Sequence, residues 1–139
     1  NDIAKLSDAA LVATHSNAYA ITPSTRNLTD RQLAMIRDSG GMVGLNFATV
    51  FLREDGRKSP EMTLDPMLRH LDHLIGILGE DHVGFGSDFD GATMPIGIGD
   101  VTGLPVLQKA LRVHGYGTEL MAKLCHENWF RLLDLTLKN

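Results

Sequence analysis

Three short apolar segments alternate with helical patterns along this chain, and this alternation restricts the fold most strongly. The apolar segments occupy residues 10–14, 42–47 and 82–86, and turn-forming residues bound each of them. All three are apolar on both faces, which is typical of parallel strands covered on both sides rather than of half-exposed antiparallel strands. The order of strands and helices therefore predicts a parallel α/β fold.

Capping and stop residues mark the predicted helices. These helices cover residues 31–38, 65–78, 104–113, 118–124 and 127–137. In the second of them we expect Asp65 to cap the helix, Pro66 to take the first helical position and Gly79 to end the helix. Trp129 is expected to anchor the last helix. Residues 92–103 form one long irregular stretch, which the pattern interprets equally well as a pocket wall or as a plain surface connection.

The composition excludes several classes of protein. The net charge is −4 and no basic stripe is present, which argues against nucleic-acid binding. The only cysteine, Cys125, excludes an internal disulfide and a zinc site made of several cysteines. No apolar run approaches the roughly 20 residues that span a bilayer. The acidic balance and single cysteine favour a cytoplasmic location, and the helical pattern at residues 1–6 indicates a segment cut from a longer protein.

Polar side chains follow the predicted strands at the point where each strand ends. His15 follows the first, Asn46 ends the second, and Asp88 and Asp90 follow the third. Because functional groups of parallel α/β proteins collect at the carboxyl ends of strands, the imidazole and the carboxylates are candidates for metal binding or proton transfer. The same residue types are common in plain turns, so the pattern by itself leaves both interpretations open.

Other chemical groups give weaker indications. The segment at residues 84–89 lacks the third glycine and the immediate helix of a dinucleotide site, so we reject that interpretation. His70 and His73 are interpreted as structural residues on a solvated helix flank, and Cys125 as a buried thiol. Arg26 lies on a loop, where it could grip a carboxylate with two hydrogen bonds or simply be a solvated surface arginine.

Six motifs occur in one order and spacing along the chain. They are THSNAY at 14–19, RNLTD at 26–30, GMVGLNF at 41–47, HLDHL at 70–74, GFGSDFDG at 84–91 and ENWFR at 127–131. In this combination the whole chain resembles the C-terminal part of the membrane dipeptidase (renal dipeptidase) family of zinc peptidases. The resemblance implies a (β/α)₈ barrel of the metal-dependent hydrolase type. Residues 1–139 would supply about three βα units and the terminal helices of that single barrel domain.

The resemblance also implies a reaction and roles for individual residues. Members hydrolyse dipeptides, including those with a C-terminal D-residue, at a site where two zinc ions activate a bridging water. By motif, His15 corresponds to a histidine that binds one zinc, and Arg26 to the arginine that grips the substrate carboxylate. Asp88 corresponds to the catalytic aspartate that contacts substrate beside the water. A family tyrosine falls at Phe51, which lacks the hydroxyl, and the other metal ligands are expected upstream.

Three interpretations follow for the function. The chain is part of a zinc dipeptidase, or part of a related metal-dependent amidohydrolase acting on another small amide, or a non-catalytic fragment that needs its N-terminal half. The expected partners are a dipeptide substrate and the missing N-terminal part of the barrel, with a homodimer left open. We expect the isolated fragment to be inactive.

Overall fold

The computed structural model describes residues 6–137 and contains one parallel sheet. Its strands are β1 (Val12–Ala13), β2 (Met42–Leu45) and β3 (Val83–Phe85), in the order β1-β2-β3. The predicted parallel pairing is confirmed. The strands are shorter than the apolar segments, because the residues after each strand leave the ladder to form loops. The helix expected at residues 1–6 lies, apart from Leu6, outside the described residues.

Helices follow each strand and then fill the C-terminal part of the chain. They are α1 (Asp30–Asp38), α2 (Thr49–Leu52), α3 (Asp65–Leu78), α4 (Leu104–His114), α5 (Thr118–Ala122) and α6 (Asn128–Leu137). Short 3₁₀ turns occupy Glu80–His82 and Val101–Gly103, so His82 precedes the third strand instead of opening it. The predicted break between the last two helices is wrong, because a π-helical turn at Lys123–Glu127 joins α5 to α6.

The ends of the helices show which capping predictions hold. Thr29 caps α1 in a reciprocal arrangement with Gln32, in which each side chain accepts a hydrogen bond from the other's backbone N–H. Gly79 ends α3 as predicted, but Leu64 rather than Asp65 occupies its N-cap. Asp65 is the first helical residue, where its negative charge still favours the N-terminus of the helix.

The two faces of the sheet differ. One face presents Val43, Leu45 and Val83, which are fully buried against α1, α3 and the C-terminal helices. Since side chains alternate along a strand, Met42 and Gly44 point to the opposite face. There the main chain comes unusually close, because a Cβ on Gly44 would overlap the carbonyl oxygen of Thr14. Glycine on this face therefore brings the end of β1 close to its neighbours.

Trp129 anchors the last helix, as the sequence predicts. Its indole N–H donates to the carbonyl oxygen of Phe85 at 3.1 Å. A Cβ on Gly84 would lie 2.7 Å from the indole nitrogen, so the indole fits only because that residue is glycine. The helix α6 is thereby fixed to β3.

Candidate functional site

The polar residues at the three strand ends meet at the side chain of Asn46. Its Nδ2 donates to Asp88 Oδ2 at 3.0 Å and, at 3.5 Å, lies at the limit of a bond to the carbonyl oxygen of His15. Its Oδ1 accepts from the N–H of Ala48 at 2.7 Å. A backbone N–H can only donate, so this bond fixes which end of the amide faces Asp88. The structure therefore connects His15 and Asp88 through one buried asparagine.

Asp88 is held in an uncommon backbone conformation. Its φ of 68° makes it the one non-glycine residue with positive φ in the part of the chain that the structure describes. Asparagine and aspartate tolerate this region better than most residues, and such strain is often found at functional sites. The other carboxylate oxygen lies against Gly91, where any Cβ would overlap Asp88 Oδ1. The carboxylate is thus fixed from two sides.

His15 presents one ring nitrogen for binding. A hydrogen bond of 2.7 Å joins its Nδ1 to Thr14 Oγ1, and the side chain is half-buried. With Nδ1 engaged, Nε2 is the nitrogen that can bind a metal ion. Histidine ligands of metals commonly have their second ring nitrogen oriented by such a hydrogen bond.

Arg26 lies on a loop whose ends are tied together. Ala18 and Leu28 form an isolated parallel bridge, so residues 18–28 close on themselves. The Arg26 guanidinium carbon lies 5.6 Å from the centroid of the Phe51 ring, a distance typical of a cation–π contact. The arginine is exposed. The ring at the position of the expected tyrosine therefore orients the guanidinium, which remains open to a ligand.

Buried asparagines hold this loop to the end of β2. Asn17 exchanges two hydrogen bonds with the backbone of Asn46, at 2.9 and 3.0 Å. Asn17 and Asn27 both donate from Nδ2 to the carbonyl oxygen of Phe51, at 3.3 and 3.0 Å. The loop that carries His15 and Arg26 is therefore fixed by amide side chains to the strand end that supports Asp88.

His70, in α3, binds the loop that follows β1. It is fully buried, so the expectation of a solvated flank is wrong for this residue, while its structural role agrees with the prediction. The N–H of Ala18 donates to His70 Nδ1 at 3.1 Å, and Nε2 lies 3.2 Å from both Leu52 O and Thr22 Oγ1. Burial lowers the pKa of His70 to about 4. The imidazole is therefore neutral near pH 7.

Other sequence candidates lie apart from this grouping. His73 is on the exposed side of α3, where Nε2 pairs with Asp30 Oδ1 at 2.7 Å. Asp90 is exposed in the turn after β3, and no helix opens there, which agrees with the rejection of a dinucleotide site. Cys125 is partly buried and receives a weak contact from Gln108. Within residues 6–137, none of these side chains is hydrogen-bonded to Asn46, His15 or Asp88.

The potential metal ligands among the described residues could form only part of a metal site. Within residues 6–137 no three histidine, cysteine or carboxylate side chains converge tightly enough to hold an ion by themselves. Bound zinc needs about four ligands, of which three or more come from protein in catalytic sites. The oriented imidazole of His15 fits one such position. Further ligands would have to come from outside these residues.

Sequence patterns do not reveal the contacts that Asn17, Asn46 and His70 make in support of the site. Asn46 is recognisable as a strand-end residue, but nothing near it in sequence indicates that its amide contacts Asp88, 42 residues away. The useful signal is an uncharged polar residue within an otherwise buried segment, because such a residue must find a hydrogen-bond partner. All three residues are fully or almost fully buried.

Comparison with known proteins gives a family match over nearly the whole chain. The family described as membrane dipeptidase (peptidase family M19) matches residues 1–138. A Klebsiella pneumoniae protein known by its position in the pqqA 5′ region is 54% identical over 132 residues. That match covers 95% of this chain and 49% of the Klebsiella protein.

Solved structures give the same result for the fold. A metallopeptidase from Rhodobacter sphaeroides, solved with a phosphinate mimic of the dipeptide L-Ala-D-Ala, has a TM-score of 0.96 and 76% identity. The match covers 97% of this chain and 38% of that one. An amidohydrolase from Pseudomonas aeruginosa shares the fold, with a TM-score of 0.86 at 23% identity. The predicted fold class is confirmed, and the chain spans less than half the length of these proteins.

Proposed function

This chain belongs to the membrane dipeptidase family (peptidase family M19), and we propose that it supplies the C-terminal part of the active site of a zinc-dependent dipeptidase. The observation that carries the proposal is the network in which Asn46 joins Asp88 to the segment of His15. It holds the Asp88 carboxylate close to the backbone of the segment that carries His15. The remaining metal ligands would come from the part of the protein that precedes this chain.

We propose zinc as the metal and His15 as one of its ligands, bound through Nε2. Bound zinc ions supply Lewis acidity, which makes water nucleophilic at neutral pH. With metal on Nε2, Nδ1 would carry the proton and donate to the Thr14 hydroxyl, which would keep the imidazole in the tautomer that binds metal. The geometry of His15 thus supports a metal-binding role that does not require rearrangement of its ring.

Asp88 is the proposed general base and acid of the hydrolysis. Its carboxylate would accept a proton from the attacking water and return it to the amine that leaves when the peptide bond breaks. The bond from Asn46 Nδ2 would hold the carboxylate in one orientation for both proton transfers. Because Asp88 is only half-buried, both substrate and solvent can reach it.

Arg26 is the proposed reader of the substrate's C-terminal carboxylate. A guanidinium can pair with a carboxylate through two parallel hydrogen bonds, which fixes orientation as well as adding binding energy. Packing against Phe51 limits the positions that this exposed side chain samples. A reader of this kind favours dipeptides over longer peptides, in which the carboxylate would lie too far from the scissile bond. The dipeptide mimic bound by the Rhodobacter relative supports this choice of substrate.

The test uses the full-length enzyme with zinc bound and compares two substitutions. Asp88→Asn should lower kcat by at least about a thousandfold, since it removes the proton acceptor and leaves the shape unchanged. Arg26→Ala should raise KM for dipeptides by about a hundredfold with a smaller change in kcat. Arg112→Ala, on the exposed surface of α4, is the matched control and should leave both constants unchanged.

Substrate analogues separate this proposal from the amidohydrolase alternative. Dipeptides whose C-terminal carboxylate is converted to an amide should be poor substrates for the unmodified enzyme and should respond little to Arg26→Ala. Equal turnover of dipeptides and their amides would favour an amidohydrolase that does not read the carboxylate. Near-unchanged kinetics in both the Asp88 and the Arg26 variants would contradict the proposal itself.

A further inference from the structure

Asn46 is placed to control the position of the proposed catalytic carboxylate. It is 1% exposed, and its side chain can rotate little because Oδ1 accepts from the N–H of Ala48. Its backbone is held in addition by the side chain of Asn17. The amide N–H that points to Asp88 Oδ2 is therefore fixed by the backbone just after β2 and by the loop after β1.

The conformation of Asp88 is also restricted. Its backbone has a left-handed φ, and Oδ1 lies against Gly91, where a Cβ would overlap it. Such a conformation persists only where surrounding contacts compensate for its cost. Within the described residues, the bond from Asn46 is the side-chain hydrogen bond that this carboxylate accepts. Without it, no side-chain hydrogen bond within the described residues would fix the rotamer of Asp88.

We infer that Asn46 is a positioning residue for the hydrolysis, which holds Asp88 Oδ2 and so fixes the orientation in which the carboxylate exchanges protons with water and substrate. This inference rests on the proposed role of Asp88. Asn46 itself touches neither the substrate nor the metal in this scheme.

The experiment substitutes Asn46 in the full-length zinc enzyme. Asn46→Asp keeps the shape and the acceptor for Ala48 but turns a second carboxylate toward Asp88. Asn46→Ser shortens the side chain, which removes the amide N–H that reaches Asp88 Oδ2 without adding charge. Because a displacement of about 1 Å can lower turnover a hundredfold, we expect kcat to fall about a hundredfold in both variants, with KM changed less than about threefold.

Asn128→Ser is the matched control. Asn128 is equally buried and donates from Nδ2 to the carbonyl oxygens of Glu80 and Val83, at the opposite end of β3. Its substitution should lower the thermal midpoint about as much as Asn46→Ser does, while leaving kcat unchanged. A loss of kcat specific to the Asn46 variants is then not explained by lower stability.

A crystal structure of the zinc-bound Asn46→Ser variant gives a measurement independent of activity. The inference expects the Asp88 carboxylate to turn away from its present position or to occupy two rotamers. An unmoved carboxylate, or a kcat within threefold of the unmodified enzyme in both variants, would overturn it. If the unmodified enzyme hydrolyses no dipeptide, the proposed function fails instead, and the crystal structure still decides whether Asn46 positions Asp88.

Discussion

His70 shows how one buried residue can make the stability of this fold depend on pH. The N–H of Ala18 requires an acceptor, so His70 Nδ1 carries no proton and the neutral imidazole has its hydrogen on Nε2. Protonation of Nδ1 would place its N–H opposite the N–H of Ala18 inside the protein, with no acceptor between them. The low pKa of His70, caused mainly by burial, agrees with this hydrogen-bond pattern.

We predict that this residue destabilises the protein as the pH falls from about 6.5 to 4. The pKa of His70 is about 4 in the folded state, against the 6.5 of a solvated histidine such as that of the unfolded chain. Between these values the unfolded chain binds more protons, so the free energy of unfolding should fall by about 3 kcal/mol over this range. Urea titrations of the full-length protein at pH 7.5 and pH 4.5 measure the loss.

The matching variants separate this effect from other titrations. His70→Gln should lower stability at both pH values but should remove most of the difference between them. His73→Gln, on the exposed side of α3, should retain the pH difference of the unmodified protein. An equally large difference in the His70→Gln variant would show that another group is responsible.

For individual residues, the sequence indicates the titratable residues at the strand ends more clearly than the buried residues that contact their loops. His15 and Asp88 stand out because a titratable side chain directly follows an apolar segment. His70 does not, because it lies among helical residues of mixed polarity and its partner Ala18 is 52 residues away. A contact of that kind depends on how the loop after β1 crosses α3, and no local pattern in the sequence records the crossing.

Among the secondary-structure elements, the attachment of α6 to the sheet depends on the lack of a side chain in β3. The indole of Trp129 lies over Gly84, and Met42 comes close to the same position from β2. The motif predicts that α6 docks through Trp129, but it does not reveal the surface that receives the indole. That surface exists because a glycine sits in β3, which in a sequence more often suggests a weak strand.

We predict opposite effects for two glycine-to-alanine substitutions. Gly84→Ala should lower the free energy of unfolding by about 1–3 kcal/mol, because the new methyl group would overlap the Trp129 and Met42 side chains. Gly76→Ala should raise it by about 0.5–1 kcal/mol, since Gly76 lies within α3 and no atom is within 4 Å of the added Cβ. Urea unfolding of the full-length protein measures both changes. A neutral Gly84→Ala would contradict the proposed packing of Trp129.

For the whole molecule, the arrangement of three strands limits what the chain can do alone. In the described residues β1 and β3 are each paired on one side only, whereas a closed barrel of eight parallel strands has no edge. No helix of residues 6–137 is long and apolar enough to cross a membrane. The strand order and the motifs predict both the fold and the partial coverage. They do not predict which surfaces the rest of the barrel covers, because that depends on residues in other strands.

The zinc content should reflect how the proposed metal ligands are divided between this chain and the rest of the full-length protein. Among the described residues His15 is the proposed zinc ligand and Asp88 a neighbouring carboxylate, which is too small a donor set to retain an ion through dialysis. We therefore predict that the 139-residue chain, verified as folded by circular dichroism, retains well under one zinc per chain. The full-length protein should retain two, and its His15→Ala variant about one. Elemental analysis of the dialysed proteins measures this. Two tightly bound zinc ions on the isolated chain would mean that most ligands lie within it, which would contradict the division of the site proposed here.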